Sequence, residues 1–168
     1  GVSMKRQMVI DPICAPIKLD AGPMGNQRTM PAFNWYYSPL AIPADTGHPI
    51  VNNLDPIHFE FTGTLDSAGE NWSVKKTILL RSSEYSKALP VPVRISTSIV
   101  DLDPGFFSRE RHDGYPLAIL LEGAFQSNFT HRIPDTLKTD PTFAFRAEGR
   151  PTKMIVIADG DVARNATI

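Results

Sequence analysis

Leu117-Ala118-Ile119-Leu120-Leu121-Glu122-Gly123-Ala124-Phe125 is apolar at almost every position. A strand with a single buried face alternates apolar and polar residues, so a continuous apolar run of this length predicts a strand covered on both faces. Met154-Ile155-Val156-Ile157-Ala158 has the same character. Residues 117–125 and 153–158 are therefore expected as central strands of one sheet. Working outward, Ile57-His58-Phe59-Glu60-Phe61 alternates, which predicts Ile57, Phe59 and Phe61 on a buried face. Lys76 to Leu80 and Arg94 to Val100 are further strand candidates. Met8 to Ile17, interrupted by Pro12 and Pro16, suits an edge or bulged extended segment. Ser82 to Leu89 reads as a short helix with serine at its start. Residues 130–152 are polar and rich in proline and read as a loop or linker. Fifteen prolines argue against long helices. The expected fold class is α/β, a strand-rich mixed sheet with few short helices.

The 168 residues suit one domain, and 42% hydrophobic content is enough to build its core. A net charge of −1 removes the usual case for nucleic acid, whose phosphates call for a basic face. No run reaches the roughly 20 apolar residues that cross a bilayer as a helix. The opening Gly1-Val2-Ser3-Met4 and the apolar strand close to the other end read as a fragment cut from a longer protein. Residues 1–168 are thus expected to be a single-domain fragment, in contact with a membrane only through segments outside it.

Few side chains suggest chemistry. The strand 154–158 runs into Asp159-Gly160-Asp161, which looks like the Asp-x-Asp motif of haloacid-dehalogenase-like phosphatases. There, two carboxylates at a strand mouth hold Mg²⁺ while one attacks phosphorus. The competing expectation is that Asp-Gly turns a strand at the surface and both carboxylates face water. Asp159, Asp161 and Asn165 do not fit a calcium-loop spacing. Cys14 is the sole cysteine, and its apolar setting predicts a structural thiol rather than a nucleophile. His48, His58, His112 and His131 show no metal-ligand spacing. No cofactor or metal is expected. Trp35, Tyr36 and Tyr37, bounded by proline, are candidate interface anchors, with coverage of the core's open edge as the other reading.

Several stretches, taken together and in order, resemble a known family. They are Phe33-Asn34-Trp35-Tyr36-Tyr37-Ser38-Pro39-Leu40, His48-Pro49-Ile50-Val51-Asn52-Asn53-Leu54-Asp55, Lys76 to Ser83, Ala118 to Phe125, and Thr152 to Asn165. The chain is similar to the gliding-motility-associated ABC-transporter accessory proteins of the Bacteroidetes, GldG-like. The resemblance implies an extracytoplasmic domain on the periplasmic side of the inner membrane, tethered by transmembrane helices outside this fragment. It also implies an ABC permease and ATPase as partners, and a flavodoxin-like or glutamine-amidotransferase-like α/β fold. It carries over no catalytic residues. The expected function is non-catalytic binding or scaffolding, with Trp35, Tyr36, Tyr37, Asp159, Asp161 and Asn165 as the interaction surface. The alternative is a metal-dependent phosphohydrolase using Asp159 and Asp161.

Overall fold

The computed structural model describes residues 1–20, 22–24, 27–67, 73–107, 111–140 and 142–164. In chain order the strands are β1 (Ser3–Lys5), β2 (Gln7–Ile10), β3 (Cys14–Lys18), β4 (Pro23–Met24), β5 (Gln27–Arg28), β6 (Ala32–Pro43), β7 (Ile57–His58), β8 (Thr64–Asp66), β9 (Val74–Arg81), β10 (Lys87–Pro90), β11 (Pro116–Gly123) and β12 (Thr152–Ile157). One short helix, α1 (Asp135–Lys138), lies between β11 and β12. The main sheet has six strands in the order β12-β11-β9-β6-β3, with β7 also paired to β6. Every strand pair among the described residues is antiparallel. The fold is strand-rich with very few helices, as the prolines imply. No described helix is long and apolar enough to cross a membrane.

β6 makes the sheet curl. Its first residues pair with β3, Phe33 opposite Ile17, while its last pair with β9, Ile42 opposite Arg81. One strand of twelve residues thus joins two partners at its two ends. The β3 pairing shifts register between Cys14 and Pro16, the bulge expected where proline interrupts an extended segment. Three apolar clusters fill the interior. Val9, Val51, Phe59, Leu79, Leu117 and Leu120 form one, and Ile10, Trp35, Tyr36, Tyr37 and Phe107 a second. Leu65, Val74, Ile119 and Leu121 form the third on the opposite face of β11. Burying each large side chain fully contributes about 1.5–3 kcal/mol.

β11 fulfils the expectation drawn from its sequence. It lies between β9 and β12, and Leu117 to Leu121 are all buried. β12 corrects the companion expectation, because it is the edge strand of the sheet. Met154, Ile155 and Ile157 remain 48%, 46% and 39% exposed. An apolar run reports the lack of polar side chains, and that alone does not supply a neighbour on both sides. The parallel strands and covering helices of a flavodoxin-like or amidotransferase-like domain have no counterpart among the described residues.

Three local expectations also change. Ser82 to Leu89 is a turn followed by β10, which pairs with β2, because Ser83 turns its hydroxyl onto Asp11 and the Tyr85 amide. Residues 97–101 form a 3-10 turn capped by Ser96, whose Oγ accepts from Ser98 N, instead of a strand over 94–100. In 57–61, Phe59 is fully buried but Phe61 is 45% exposed. Phe61 has a left-handed backbone (φ 49°), which breaks the alternation and leaves its ring against Trp35 and Tyr37. Phe59 and Phe61 still donate to Pro39 and Tyr37 carbonyls, so the segment runs on beside β6.

Glycine brackets β11. Gly114 (φ 76°) precedes it, and a Cβ there would lie 2.2 Å from the Ser82 carbonyl oxygen; Gly123 (φ 148°) ends it, 2.1 Å from that of Ser73. Neither approach leaves room for a side chain, and neither conformation suits an L-residue. Gly114→Ala is expected to cost more than about 2 kcal/mol in urea unfolding. Gly160→Ala, with nothing within 4 Å of the added Cβ, is expected to stay within about 0.5 kcal/mol.

Candidate functional site

A cluster of buried, mutually bonded polar groups lies where the β2–β3 corner meets the β9–β10 turn. Asp11 follows Ile10 directly and is fully buried. Its Oδ1 accepts from the Ile13 amide at 2.8 Å and from Ser83 Oγ at 2.6 Å, and its Oδ2 accepts from the Ser83 amide at 2.7 Å. The Asp11 amide in turn donates to the Tyr36 carbonyl at 3.0 Å. One residue therefore ties the start of the chain to β6 through its amide and to a turn 72 residues away through its carboxylate. Burial pushes the carboxyl above its ordinary value of 3.8, while the bonds from Ser83 and Ile13 and the charge of His112 pull the other way.

Around it the hydroxyl protons can be followed from donor to acceptor. Ser86 Oγ donates to the Ser83 carbonyl at 2.7 Å, so in its 2.6 Å contact with Ser82 Oγ the proton comes from Ser82. Ser82 Oγ accepts from the Tyr115 amide at 2.8 Å, and Ser83 Oγ accepts from the Tyr85 amide at 3.2 Å. His112 Nδ1 accepts from the Gly114 amide at 3.0 Å. Its Nε2 therefore carries the proton and donates to the Ser86 carbonyl at 2.8 Å. Serine, histidine and aspartate meet here as they do in nucleophilic sites, but the wiring differs. The lone pair of His112 is held by a backbone amide, and the hydroxyl that meets Asp11 gives its proton directly to the carboxylate. The arrangement acts as a latch between chain segments.

Beside the latch is an open cavity of about 370 Å³ whose wall includes Ile42, Pro43, Arg81, Glu84, Tyr85 and His112. Arg111 pairs with Glu84 at its rim and lies 5.4 Å from the centre of the Tyr85 ring. That hydrogen bond holds the Glu84 carboxyl below its usual range and the Arg111 guanidinium above its own. Arg81 Nη1 donates to the Asp113 carbonyl at 3.1 Å.

The residues singled out from sequence lie elsewhere. Trp35, Tyr36 and Tyr37 are 8%, 4% and 3% exposed and pack in the second core cluster. Trp35 and Tyr37 meet edge to face at 5.0 Å, and Tyr36 lies 4.9 Å from Phe107. Asp159 is half-buried: its Oδ2 accepts from the Glu60 amide at 2.7 Å and its Oδ1 from the Asp161 amide at 2.8 Å. It therefore fastens the end of β12 to the segment after β7, instead of facing water freely. Asp161 is exposed. Asn165 lies outside the described residues. Burial and then the charge of Asp11 push the Cys14 thiol up to about 11, which suits a structural role. His58 contacts Ser38 Oγ, which also donates to the Phe59 carbonyl, and His48 closes a turn. Among the described residues no three His, Cys, Asp or Glu side chains are grouped as a metal site.

Sequence reasoning gave Asp11 and Ser83 no part in a site and met His112 only as one of four scattered histidines. A signal for the first was present: a carboxylate inside Met8-Val9-Ile10-Asp11-Pro12-Ile13 interrupts an otherwise apolar run, and a charge there needs donors. Nothing near residue 83 announces that they come from there.

The fold is thus an antiparallel sheet in which Asp11 and Asp159 each accept hydrogen bonds from backbone amides. A family described as an ABC-type uncharacterized transport system matches residues 1–167. The chain belongs to that family and is thus an accessory component of an ABC transport system. No curated protein and no solved structure matches the chain.

Four outcomes test these carboxylates. Because its folded value is raised, the stabilising contribution of Asp11 is fully present below pH 3.8 and is lost as pH rises through the folded value. Asp11→Asn is expected to remove that fall from a series of urea melts between about pH 3 and about pH 7. Asp159→Ala loses both amide contacts and is expected to destabilise by about 1–2 kcal/mol. Asp161→Asn should stay within about 0.5 kcal/mol. If the pair held Mg²⁺, the metal would raise the melting temperature of the wild type and not of Asp159→Ala; no such rise is expected.

Proposed function

We propose that the chain is a non-catalytic, extracytoplasmic part of an accessory protein in a gliding-motility-type ABC transport system. It binds and positions the ABC permease and ATPase subunits of that system through the full-length protein. Membership of the transport family over residues 1–167 is the observation that carries this reading. The non-catalytic part is supported by the polar wiring, in which Asp11, Asp159 and His112 are each held by backbone amides. The finer kinship, to GldG-like proteins of the Bacteroidetes, rests on the ordered resemblance of 33–40, 48–55, 76–83, 118–125 and 152–165. On this reading the antiparallel unit belongs to a larger flavodoxin-like or amidotransferase-like α/β domain. That domain is held on the periplasmic side of the inner membrane by helices outside residues 1–168.

Isolation of the tagged full-length protein from its native membrane in mild detergent is expected to bring the permease and ATPase with it. Alkaline phosphatase fused after residue 168 is expected to be active, as it is only outside the cytoplasm. Recovery of the protein without either subunit would remove the partner assignment, and an inactive fusion the location.

A further inference from the structure

β12 has β11 on one side and no strand on the other among the described residues. The Ala158 amide donates to the Leu117 carbonyl at 2.8 Å, in the same register that sets Ile157 opposite Ala118. In an antiparallel ladder the N–H and C=O of one residue point the same way, and alternate residues point opposite ways. Val156 and Met154 therefore direct their peptide groups toward β11 with Ala158, and Lys153, Ile155 and Ile157 direct theirs outward. Edge strands are normally blunted by proline, charge or a bulge. From Met154 to Ala158 there is no proline or charge, and three large apolar side chains are exposed.

We propose that β12 pairs antiparallel with β12 of a second copy of the chain, about a twofold axis perpendicular to the sheet and passing through Val156. Such an axis continues each face of the sheet across the join, so directly opposed residues come from the same face. Only registers centred on a residue meet that condition. Centring on Val156 sets Ile155 against Ile157 of the other copy with their outward peptide groups exchanging hydrogen bonds. It also sets Met154 against Ala158, and Lys153 against Asp159. Charge favours the same register. Glu122 stands opposite both Lys75 and Lys153 in the ladder and bonds Lys153 at 2.7 Å, so two lysines share one carboxylate. Asp159 of the second copy, held by its own two amide donors, adds a second negative charge beside these lysines. Centring on Ile155 would face Lys153 with Ile157, and centring on Met154 would face it with Ile155.

The 168-residue chain is expected to sediment as a dimer at high micromolar concentration. Ile155→Pro removes one outward N–H at a position where an edge strand tolerates proline, and is expected to give a folded monomer. In a Cys14→Ala background, Val156→Cys places two thiols across the axis with Cα atoms about 4.5 Å apart, within disulfide reach. Ile155→Cys leaves them diagonal, about 7–8 Å apart. Rapid crosslinking of Val156→Cys alone is the expected result. A wild-type chain that sediments as a monomer, a dimer that survives Ile155→Pro, or faster crosslinking of Ile155→Cys would overturn the proposal.

Discussion

The Asp11 carboxylate has no contact with water, and the donors that satisfy it come from places the chain must fold to bring together. Leaving such a group without partners would cost several kcal/mol. The corner after β2 and the Ser82–Ser86 turn are therefore buried together. That turn is held in its own right by Ser82, Ser86 and His112, which connect it to the Gly114–Tyr115 segment leading into β11. Asp11 thus couples the first strands, the curled middle of β6 and the entry to the central strand.

The coupling also decides what the polar groups are bonded to. Ser83, His112 and Asp11 have the composition of a catalytic site, but each polar atom is matched to a backbone group or to another member of the set. The same is true of Asp159, whose two carboxylate oxygens each accept from a backbone amide. The Cys14 thiol is pushed up to about 11 by its buried setting and by Asp11. In this accessory component of a transport system, the wiring ties the sheet to the turns beside it. Among the described residues, the unpaired edge of β12 and the open cavity beside Tyr85 and His112 are two of its surfaces.

Glycine sets the remaining limit on the architecture. At both ends of β11 the neighbouring carbonyl oxygen approaches so closely that only a hydrogen fits. The strand with most of the core on its two faces is thus positioned by two residues with no side chain.

The amino-acid sequence by itself determined that the chain is rich in strands, poor in helix, and built around 117–121. Proline removes helix, and an unbroken apolar run leaves no polar face to expose. The bulge at Cys14–Pro16 was legible for the same local reason. Only the tertiary structure decided that 153–158 is an edge, that Trp35, Tyr36 and Tyr37 point into the core, and that Phe61 leaves the alternation. Each depends on which segment arrives alongside, and hydrophobicity along one segment carries no record of its neighbours. Asp11 joins the two levels. Its place in an apolar run announces a buried carboxylate, but its donors at residue 83 are 72 positions distant, and only folding brings them within 2.7 Å.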